Sequence, residues 1–314
     1  MIAALGTAER VLAVGIGGGG DVVGALAIAE LARLAGTPAT VGGLTWERRP
    51  IDPIPGPRRI DELTGAERIN DAVALAGPDT TGPGGFHFAE SHMARHLGEP
   101  VVLLDPSDGP AAVARGLAGA SEHLGCDLIV LVDVGGDVLA HGDEPGLASP
   151  LADAICLAAS PGLVAAGVDV QLAMFGAGCD GELTPAEMLE RVAEVASAGG
   201  HLGTWGPGPA ELDRLEAAVH EIPTEASAMA VACGRGETGP TTIRGGRRTV
   251  ERTPVGAMVF FFDPIAALRG AARCAALVEH ATSLAEGHAI LTERGIATEL
   301  GYEQRAAADQ PDER

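Results

Sequence analysis

Apolar and β-branched residues recur along the chain in short continuous runs, and stretches with helical periodicity separate these runs. The runs lie at residues 10–16, 38–44, 100–105, 127–133, 168–175 and 255–262. Continuous hydrophobic runs of this length are typical of parallel strands that are buried on both faces of a sheet. The pattern therefore predicts six strands of one buried sheet.

Stretches with helical periodicity fill the intervals between the predicted strands. They lie at residues 21–36, 60–76, 88–98, 109–125, 149–166, 184–199, 208–220, 224–233 and 264–295. This alternation favours a Rossmann-like α/β fold with three layers, in which a parallel sheet has helices on both faces. Because crossovers between parallel strands are right-handed, the carboxyl ends of all these strands are expected at one edge.

One segment departs from the alternation of strands and helices. Residues 241–250 read as two short strands around Gly245-Gly246, which predicts an added antiparallel hairpin that extends or covers a sheet edge. No linker-like change in composition divides the chain, so residues 1–301 are expected to form a single domain. The polar residues 302–314 are expected to form a disordered tail.

The first predicted strand leads into four consecutive glycines, Gly17 to Gly20, and then into Asp21 and a helix. Glycines let backbone amides approach a ligand closely, and the helix N-terminus adds unpaired N–H groups, so phosphates bind readily at such a turn. The spacing also fits G-x-G-x-x-G, although so many glycines match several patterns by chance. We therefore expect Gly17, Gly18, Gly19, Gly20 and Asp21 to bind a phosphate-bearing ligand; a turn that serves only packing is the alternative.

Composition limits which classes of partner and which cellular location we expect for this protein. The net charge is −22, so a nucleic-acid partner is not expected, because a polyanion would be repelled. No apolar run approaches the ~20 residues of a membrane span, and no signal segment precedes the first strand. Five widely spaced cysteines without a C-x-x-C pair predict reduced thiols in the cytoplasm. Cys179 lies beside a predicted strand end, but no base is adjacent in sequence, so an inert thiol is expected.

The sequence contains no lysine, and arginine supplies all 21 basic side chains. Schiff-base chemistry at lysine, a Walker A lysine and a kinase-type strand lysine are therefore excluded. A bound phosphate must be held by backbone amides, by arginine or by a metal ion. On the predicted hairpin, Arg244, Arg247 and Arg248 could reach an anion or another subunit, although such arginines are commonly only solvated.

Carboxylates follow almost every predicted strand, and ligands of open α/β sheets bind beyond the carboxyl ends of the strands. They include Asp133, Asp137, Asp180, Glu182 and Asp263. Converging carboxylates repel one another, and a divalent cation such as Mg²⁺ relieves the repulsion. Asp133 and Asp137 are the first choice for this cation, since the two glycines between them permit a sharp turn. For any single aspartate, helix capping or a turn is the simpler explanation.

Residues after the second predicted strand are candidates for contact with the body of the substrate. Trp46, Glu47 and Arg48 follow that strand, and Arg58 belongs to the proline-rich segment 48–59. Glu47 also lies near the position of the ribose-binding acid of a dinucleotide fold, where Arg48 could instead meet a 2′-phosphate. A solvated loop is the alternative for this segment.

Several motifs, taken together, resemble those of a known family. They are GIGGGGDVVGALA from Gly15, Trp46-Glu-Arg before Asp52-Pro and Pro55-Gly-Pro, Asp133-Val-Gly-Gly-Asp137 with Ser149-Pro150, Gly178-Cys-Asp-Gly-Glu182, and Thr224-Glu-Ala-Ser227. The set resembles the prokaryotic family catalogued as domain of unknown function number 1152, over about residues 8 to 300. The family has no established activity, so the resemblance implies one full-length domain and supplies no catalytic residue.

The glycine-rich turn and the acidic strand ends together lead to a functional hypothesis. We expect a cytoplasmic enzyme that binds a nucleotide or phosphorylated small metabolite at this turn. Asp133 and Asp137 would position Mg²⁺, and Asp180 or Glu182 would activate water or a hydroxyl for phosphoryl or nucleotidyl transfer or hydrolysis. Two alternatives stay open: an NAD(P)-dependent oxidoreductase, and a non-catalytic ligand-binding protein or complex subunit.

Alanine-rich helical stretches with few charges bear on the oligomeric state. They lie at residues 149–166 and 266–278. Such stretches suggest buried faces beyond one core, so a homo-oligomer is expected.

Overall fold

The structure is a computed structural model that describes residues 2–309. The helices are α1 (Ile2–Thr7), α2 (Val22–Leu34), α3 (Ala89–Leu97), α4 (Gly109–Leu124), α5 (Leu151–Leu157), α6 (Ser160–Ala165), α7 (Pro185–Ser197), α8 (Pro209–Glu221), α9 (Glu225–Gly234), α10 (Pro264–Gly270), α11 (Arg273–Val278), α12 (Leu284–Thr292) and α13 (Glu299–Ala308). The strands are β1 (Val11–Gly15), β2 (Ala39–Leu44), β3 (Glu67–Arg68), β4 (Val73–Ala76), β5 (Val101–Leu104), β6 (Leu128–Val134), β7 (Asp169–Phe175), β8 (His201–Trp205), β9 (Gly239–Ile243), β10 (Arg248–Arg252) and β11 (Val259–Phe262).

Nine of the strands form one sheet in the order β3-β4-β5-β2-β1-β6-β7-β11-β8. The five central strands, from β5 to β7, run parallel to one another. Antiparallel pairing adds β4 and β3 on one side, and β11 and β8 on the other. All six predicted strands belong to this sheet, and the Rossmann-like α/β prediction is confirmed.

Helices cover both faces of the sheet because its central strands are apolar on both faces. On β1, Leu12 and Val14 pack into one core with α4 to α7 and α10 to α12. The alternate residues Val11 and Ala13 pack into a second core with α2, α3, α8 and α9. A strand buried on both faces needs no polar alternation, which is why its sequence reads as a continuous apolar run.

The strand order reverses between β1 and β6. After β1, the chain forms β2 and later β5 on one side of β1. It then crosses the sheet and forms β6 and β7 on the other side of β1. The connections after β1 and β6 therefore diverge, which leaves a crevice between the carboxyl ends of these two strands. This crevice is where ligands of open α/β sheets bind.

The predicted helix at 60–76 is wrong. Residues 67–68 and 73–76 form β3 and β4, and Gly65 adopts φ +76°, a value that interrupts a right-handed helix. Two other predicted helices are broken: 149–166 becomes α5 and α6, and 264–295 becomes α10, α11 and α12. Tertiary packing rather than local propensity decides these segments.

The last predicted strand runs in the direction opposite to its neighbour. Val259 of β11 pairs with Phe175 at the end of β7, and Phe262 pairs with Leu172. Asp263 therefore lies at the amino edge of the parallel strands, where it shares a surface depression with Asp169. Its carboxylate accepts the Ala266 N–H at 2.7 Å and caps α10. The expectation that Asp263 joins the other strand-end acids is wrong.

The predicted hairpin is confirmed as β9 and β10, which pair in a two-stranded sheet of their own. The expectation that a disordered tail begins at residue 302 is wrong as far as Asp309, because Glu299 to Ala308 form helix α13 and Asp309 follows it directly. Residues 310–314 lie outside the described residues.

The alanine-rich stretches that suggested a homo-oligomer pack within the chain. All seven residues of α5 are buried, and Cys274, Ala275 and Val278 of α11 belong to the same core. Most of both stretches is therefore buried in the chain's own core, whereas Val164 of α6 is half exposed, and a homo-oligomer stays a prediction.

Candidate functional site

The glycine-rich loop after β1 packs tightly against the protein's own groups. The Gly17 N–H donates to Oδ2 of Asp21 at 3.0 Å, and the Gly19 N–H donates to the carbonyl oxygen of Trp46 at 3.0 Å. A Cβ at Gly20 would lie only 2.1 Å from the Cβ of Thr224. Close packing on both sides therefore requires glycine in this loop.

This packing changes the expected role of the loop. The amides of Gly17 and Gly19 already have acceptors in the protein, and the carboxylate of Asp21 occupies the side of the loop next to Gly17. Oδ2 of Asp21 also accepts the N–H of Val134 at the end of β6, at 3.3 Å. The loop thus holds an internal carboxylate at the crevice, and these two amides are not open to a phosphate.

Asp133 lies one residue before the end of β6 and is the most confined acid of the crevice. Its side chain has no solvent exposure, and no N–H or hydroxyl group among the described residues donates to either carboxyl oxygen. The carboxyl group of Asp137 lies within hydrogen-bonding reach of it. Gly135 and Gly136, at φ +134° and +121°, form the sharp turn that brings the two acids together.

Six carboxylates surround the end of β6 in two groups. One oxygen each from Asp21, Asp133 and Asp153 lies within 4.8 Å of the others. The same limit holds for Asp137, Asp180 and Glu182. The two groups meet where Asp133 approaches Asp137, so the acids that the sequence analysis singled out are gathered at one place.

Burial and mutual repulsion disfavour ionisation of most of these acids. Burial raises the pKa of Asp21 to about 7, and repulsion by Asp180 adds to this effect. The hydrogen bonds that Asp21 accepts act in the opposite direction but are outweighed. Burial and Glu182 raise the pKa of Asp180 to about 7. For Asp133, Asp137 and Asp153, burial and then neighbouring carboxylates raise the pKa well above the usual range. A cation at this place would relieve both effects.

Glu182 differs from the other five acids because its charge is fully compensated. It accepts the N–H groups of Ala148 and Ser149 at 2.7 and 2.8 Å, and the Ser149 hydroxyl. Nη1 of Arg248, on β10, lies 2.7 Å from its Oε1. Burial alone would raise the pKa of Glu182, but Arg248 and these hydrogen bonds hold it below its usual value. Glu182 is therefore a stable anion that joins its own loop to Ala148 and Ser149 and to Arg248 of strand β10.

Arg48 is the cation beside the first group of acids. Its guanidinium lies 4.4 Å from the centroid of the Trp46 ring and donates to the Gly17 carbonyl. It also lies 3.5 Å from a carboxylate oxygen of Glu299 and 3.7 Å from one of Glu303. Trp46 is buried, and its indole N–H donates to Glu303 at 3.0 Å. Trp46 thus supports Arg48, which is itself partly exposed.

The structure favours internal roles for Glu47 and Arg58. Glu47 is buried, and its Oε1 accepts the Ala89 N–H at the start of α3, so it is not presented to a ribose. Arg58 is buried, pairs with Asp52 at 3.0 Å and donates to the carbonyl of Pro55 at 2.9 Å. These contacts hold the proline-rich loop together, and they weaken the expectation that either residue contacts a substrate.

Sequence reasoning missed three residues of this site, Asp153, Glu299 and Glu303, whereas it named Arg248 as a residue that could reach an anion. Asp153 is a lone acid in the apolar helix Leu-Ala-Asp-Ala-Ile-Cys-Leu, and this isolation was the available signal. The two glutamates lie on α13, in or beside the segment expected to be a disordered tail.

The fold and this site together define a class: a Rossmann-like α/β protein with a buried carboxylate cluster at the switch point of its sheet. The chain belongs to the family described as "Protein of unknown function (DUF1152)", whose model matches residues 12–307. Comparison with curated proteins found no match, and comparison with solved structures found none. The family match includes α13 and both of its site glutamates. Among the described residues, no helix has the length and apolar character that crossing a membrane requires.

Proposed function

We propose that this protein is a divalent-cation-dependent enzyme that acts on a nucleotide or phosphorylated small metabolite, by phosphoryl or nucleotidyl transfer or by hydrolysis. One observation carries the proposal: Asp133 is fully buried at the switch point and faces two further acids, and no N–H or hydroxyl group of the described residues donates to its carboxylate. Leaving a buried carboxylate uncompensated is costly, and a bound cation supplies the missing charge.

The donor set suits a hard cation. Oxygen ligands are preferred by Mg²⁺ and by Mn²⁺, and Mg²⁺ commonly uses one or two carboxylates together with phosphate oxygens. Asp21, Asp133 and Asp153 would hold the cation, and Asp137 would complete or extend the set. A cation held there would polarise a phosphoryl oxygen. Two adjoining acid groups also suit a pair of cations, which is common in phosphoryl-transfer sites.

The remaining site residues take two roles: one acid would act as the general base, and two arginines would bind the anionic part of the substrate. A pKa of about 7 makes Asp180 the better general base, whereas the compensated Glu182 has little tendency to accept a proton. Arg48 and Arg248 are the arginines at the two sides of the acids, and we assign them to the charged part of the substrate. This assignment moves phosphate recognition from the amides of Gly17 and Gly19 to arginine and cation.

Isothermal titration calorimetry with Mn²⁺ and Mg²⁺ tests the cation site. Wild-type protein is expected to bind Mn²⁺, and Asp133→Asn is expected to weaken binding at least tenfold. The matched control is Asp169→Asn, an exposed aspartate at the other end of a parallel strand, which should leave binding unchanged. Unchanged Mn²⁺ affinity in folded Asp133→Asn would overturn the proposal.

Titration with ATP, GTP, NAD and NADP, with and without Mg²⁺, addresses the ligand. Binding of a mononucleotide that requires Mg²⁺, followed by release of phosphate or diphosphate, is the expected result. Tight dinucleotide binding without metal would instead support the oxidoreductase alternative. Binding without turnover over a broad metabolite panel would support a non-catalytic role.

A further inference from the structure

Cys179 and Cys233 come from distant parts of the sequence and lie side by side. Cys179 is in the loop after β7, and Cys233 is on helix α9. Both sulfurs lie 2.9 Å from the position that a Cβ at Gly256 would occupy, and the two thiols are within hydrogen-bonding distance of each other. The absence of a side chain at Gly256 therefore leaves the space in which these thiols meet.

The other three cysteines are buried, as the pair is, and each has a carboxylate as a neighbour: Asp127 for Cys126, Asp153 for Cys156 and Glu144 for Cys274. Burial raises the pKa of Cys126 to about 11 and that of Cys274 to about 12, and it raises the pKa of Cys156 well above its ordinary value. Thiols of this kind are poor nucleophiles, because the thiolate is the reactive form. They provide internal controls for the paired cysteines.

Cys233 has the contacts that stabilise a thiolate. The Cys179 thiol and the Thr253 N–H lie within hydrogen-bonding reach of its sulfur, and Arg252 and Glu237 are its charged neighbours. The Cys179 thiol, together with Thr253 and Arg252, holds the pKa of Cys233 below its usual range, against burial and Glu237. The Cys179 S–H can donate either to Cys233 or to the Gly256 carbonyl, which lies 3.5 Å from its sulfur. These contacts favour Cys233 as the nucleophile and Cys179 as the partner that resolves it.

We propose that Cys179 and Cys233 are a redox pair that closes to a reversible disulfide in the presence of a peroxide. The Cys233 thiolate attacks one peroxide oxygen, the O–O bond breaks, and the departing hydroxide takes up the proton that Cys233 released and leaves as water. The Cys179 sulfur then attacks the sulfur of the resulting sulfenic acid, the S–O bond breaks, and the departing hydroxide takes the Cys179 thiol proton and leaves as a second water. The two thiols lose two electrons and two protons in total, and hydrogen peroxide becomes two waters.

The Cys179–Cys233 disulfide would change the carboxylate cluster, and this part of the inference rests on the proposed function. Cys179 directly precedes Asp180, whose carboxyl carbon lies 2.3 Å from the position of a Cβ at Gly135. Forming the bond draws the sulfurs from hydrogen-bonding contact to bonding distance, so the loop or α9 must move. Asp180 repels the carboxylates of Asp21 and Asp133, which would hold the cation, so a shift of Asp180 changes the electrostatic field at the cation site. Oxidation is therefore expected to weaken Mn²⁺ binding several-fold, and reduction to restore it.

Thiol counting and peptide mapping test the redox pair. Reduced protein is treated with a small excess of hydrogen peroxide, and free thiols are alkylated in denaturant. We expect the five thiols to fall to three, with a linked peptide containing Cys179 and Cys233, and dithiothreitol to restore all five. Retention of all five thiols, or a loss spread over the other cysteines, would overturn the proposal.

Three variants control this experiment. Cys274→Ser, a buried single thiol, should still form the link, whereas Cys233→Ser should abolish it. Cys179→Ser leaves a sulfenic acid on Cys233 that dimedone traps, provided that thermal melting shows a folded protein. Dimedone labelling at another cysteine instead would contradict the assigned nucleophile.

Manganese titration of the reduced and oxidised forms separates the two levels of the inference. Equal Mn²⁺ affinity in both forms would refute the coupling and leave the cation site standing. Absence of Mn²⁺ binding in the reduced form would refute the proposed function and the coupling together, while a linked Cys179–Cys233 peptide would still establish the redox pair.

Discussion

At the scale of single residues, Asp133 and Glu90 are both carboxyl groups with no exposure, and neither accepts a hydrogen bond from an N–H or hydroxyl group of another described residue. Asp133 faces several further acids around a crevice, which suits a cation. Glu90 lies on α3 against Gly43 of β2, with Glu47 as its main charged neighbour. Burial, and then Glu47, raise the pKa of Glu90 well above its usual range. A neutral Glu90 is therefore expected in the native protein.

This state of Glu90 predicts a pH-dependent loss of stability. Below pH ~4 the folded and unfolded states both carry a protonated Glu90, so its titration contributes nothing. As the pH rises, the unfolded state ionises first and gains about 1.4 kcal/mol per pH unit until the folded state also ionises. Glu90→Gln does not titrate at this position, so its stability should rise relative to that of wild type as the pH increases from 5 to 7.

Urea unfolding of Glu90→Gln and wild type at a series of pH values measures this difference. The exposed Glu122→Gln is the control and should follow wild type at every pH. A difference between Glu90→Gln and wild type that does not grow with pH would show that Glu90 is ionised in the folded protein.

At the scale of elements, the proline-rich segment 48–59 owes its shape to Arg58. The guanidinium pairs with buried Asp52 and donates to the carbonyl groups of Ile54 and Pro55. Removing it would leave Asp52 with an uncompensated buried charge and leave these carbonyl groups without their donor. Arg58 is therefore a structural clamp, in contrast to the substrate contact that the sequence suggested.

Arg58→Met tests this assignment. Breaking a buried ion pair by removing one partner costs about 3–5 kcal/mol, so denaturant unfolding should show a loss of this order. The exposed Arg115→Met should cost much less, and Asp52→Asn in the Arg58→Met background should recover part of the loss. Unchanged stability with altered ligand affinity would restore the substrate-contact interpretation.

An element could be predicted from sequence only where its residue pattern is specific for one type of secondary structure. The central strands carry continuous apolar runs, and their positions follow from sequence. Strand β4, Val-Ala-Leu-Ala, consists of residues that also suit a helix, and its antiparallel pairing with β5 decides its conformation. The direction of β11 could not be read either, because a hydrophobic run is the same in both directions.

At the scale of the whole molecule, the site forms because strand order places the ends of β1 and β6 beside each other. That convergence, and its acids Asp133, Asp137, Asp180 and Glu182, could be predicted from the strand ends. The contributions of Asp153 and Glu299 could not, because helix packing brings them from distant segments; Arg248 was named as an arginine that could reach an anion, but its pairing with Glu182 depends on the position of the hairpin. The glycine-rich loop suggested an open phosphate cradle, whereas local packing fills it with Asp21.

Anomalous diffraction from crystals soaked in Mn²⁺ would show whether a cation binds at this place. We expect a strong peak among Asp21, Asp133 and Asp153, about 2.0–2.3 Å from the nearest carboxylate oxygens, and no such peak in Asp133→Asn crystals. A map at saturating Mn²⁺ with no peak at this place, or with peaks only on exposed acids, would contradict this expectation.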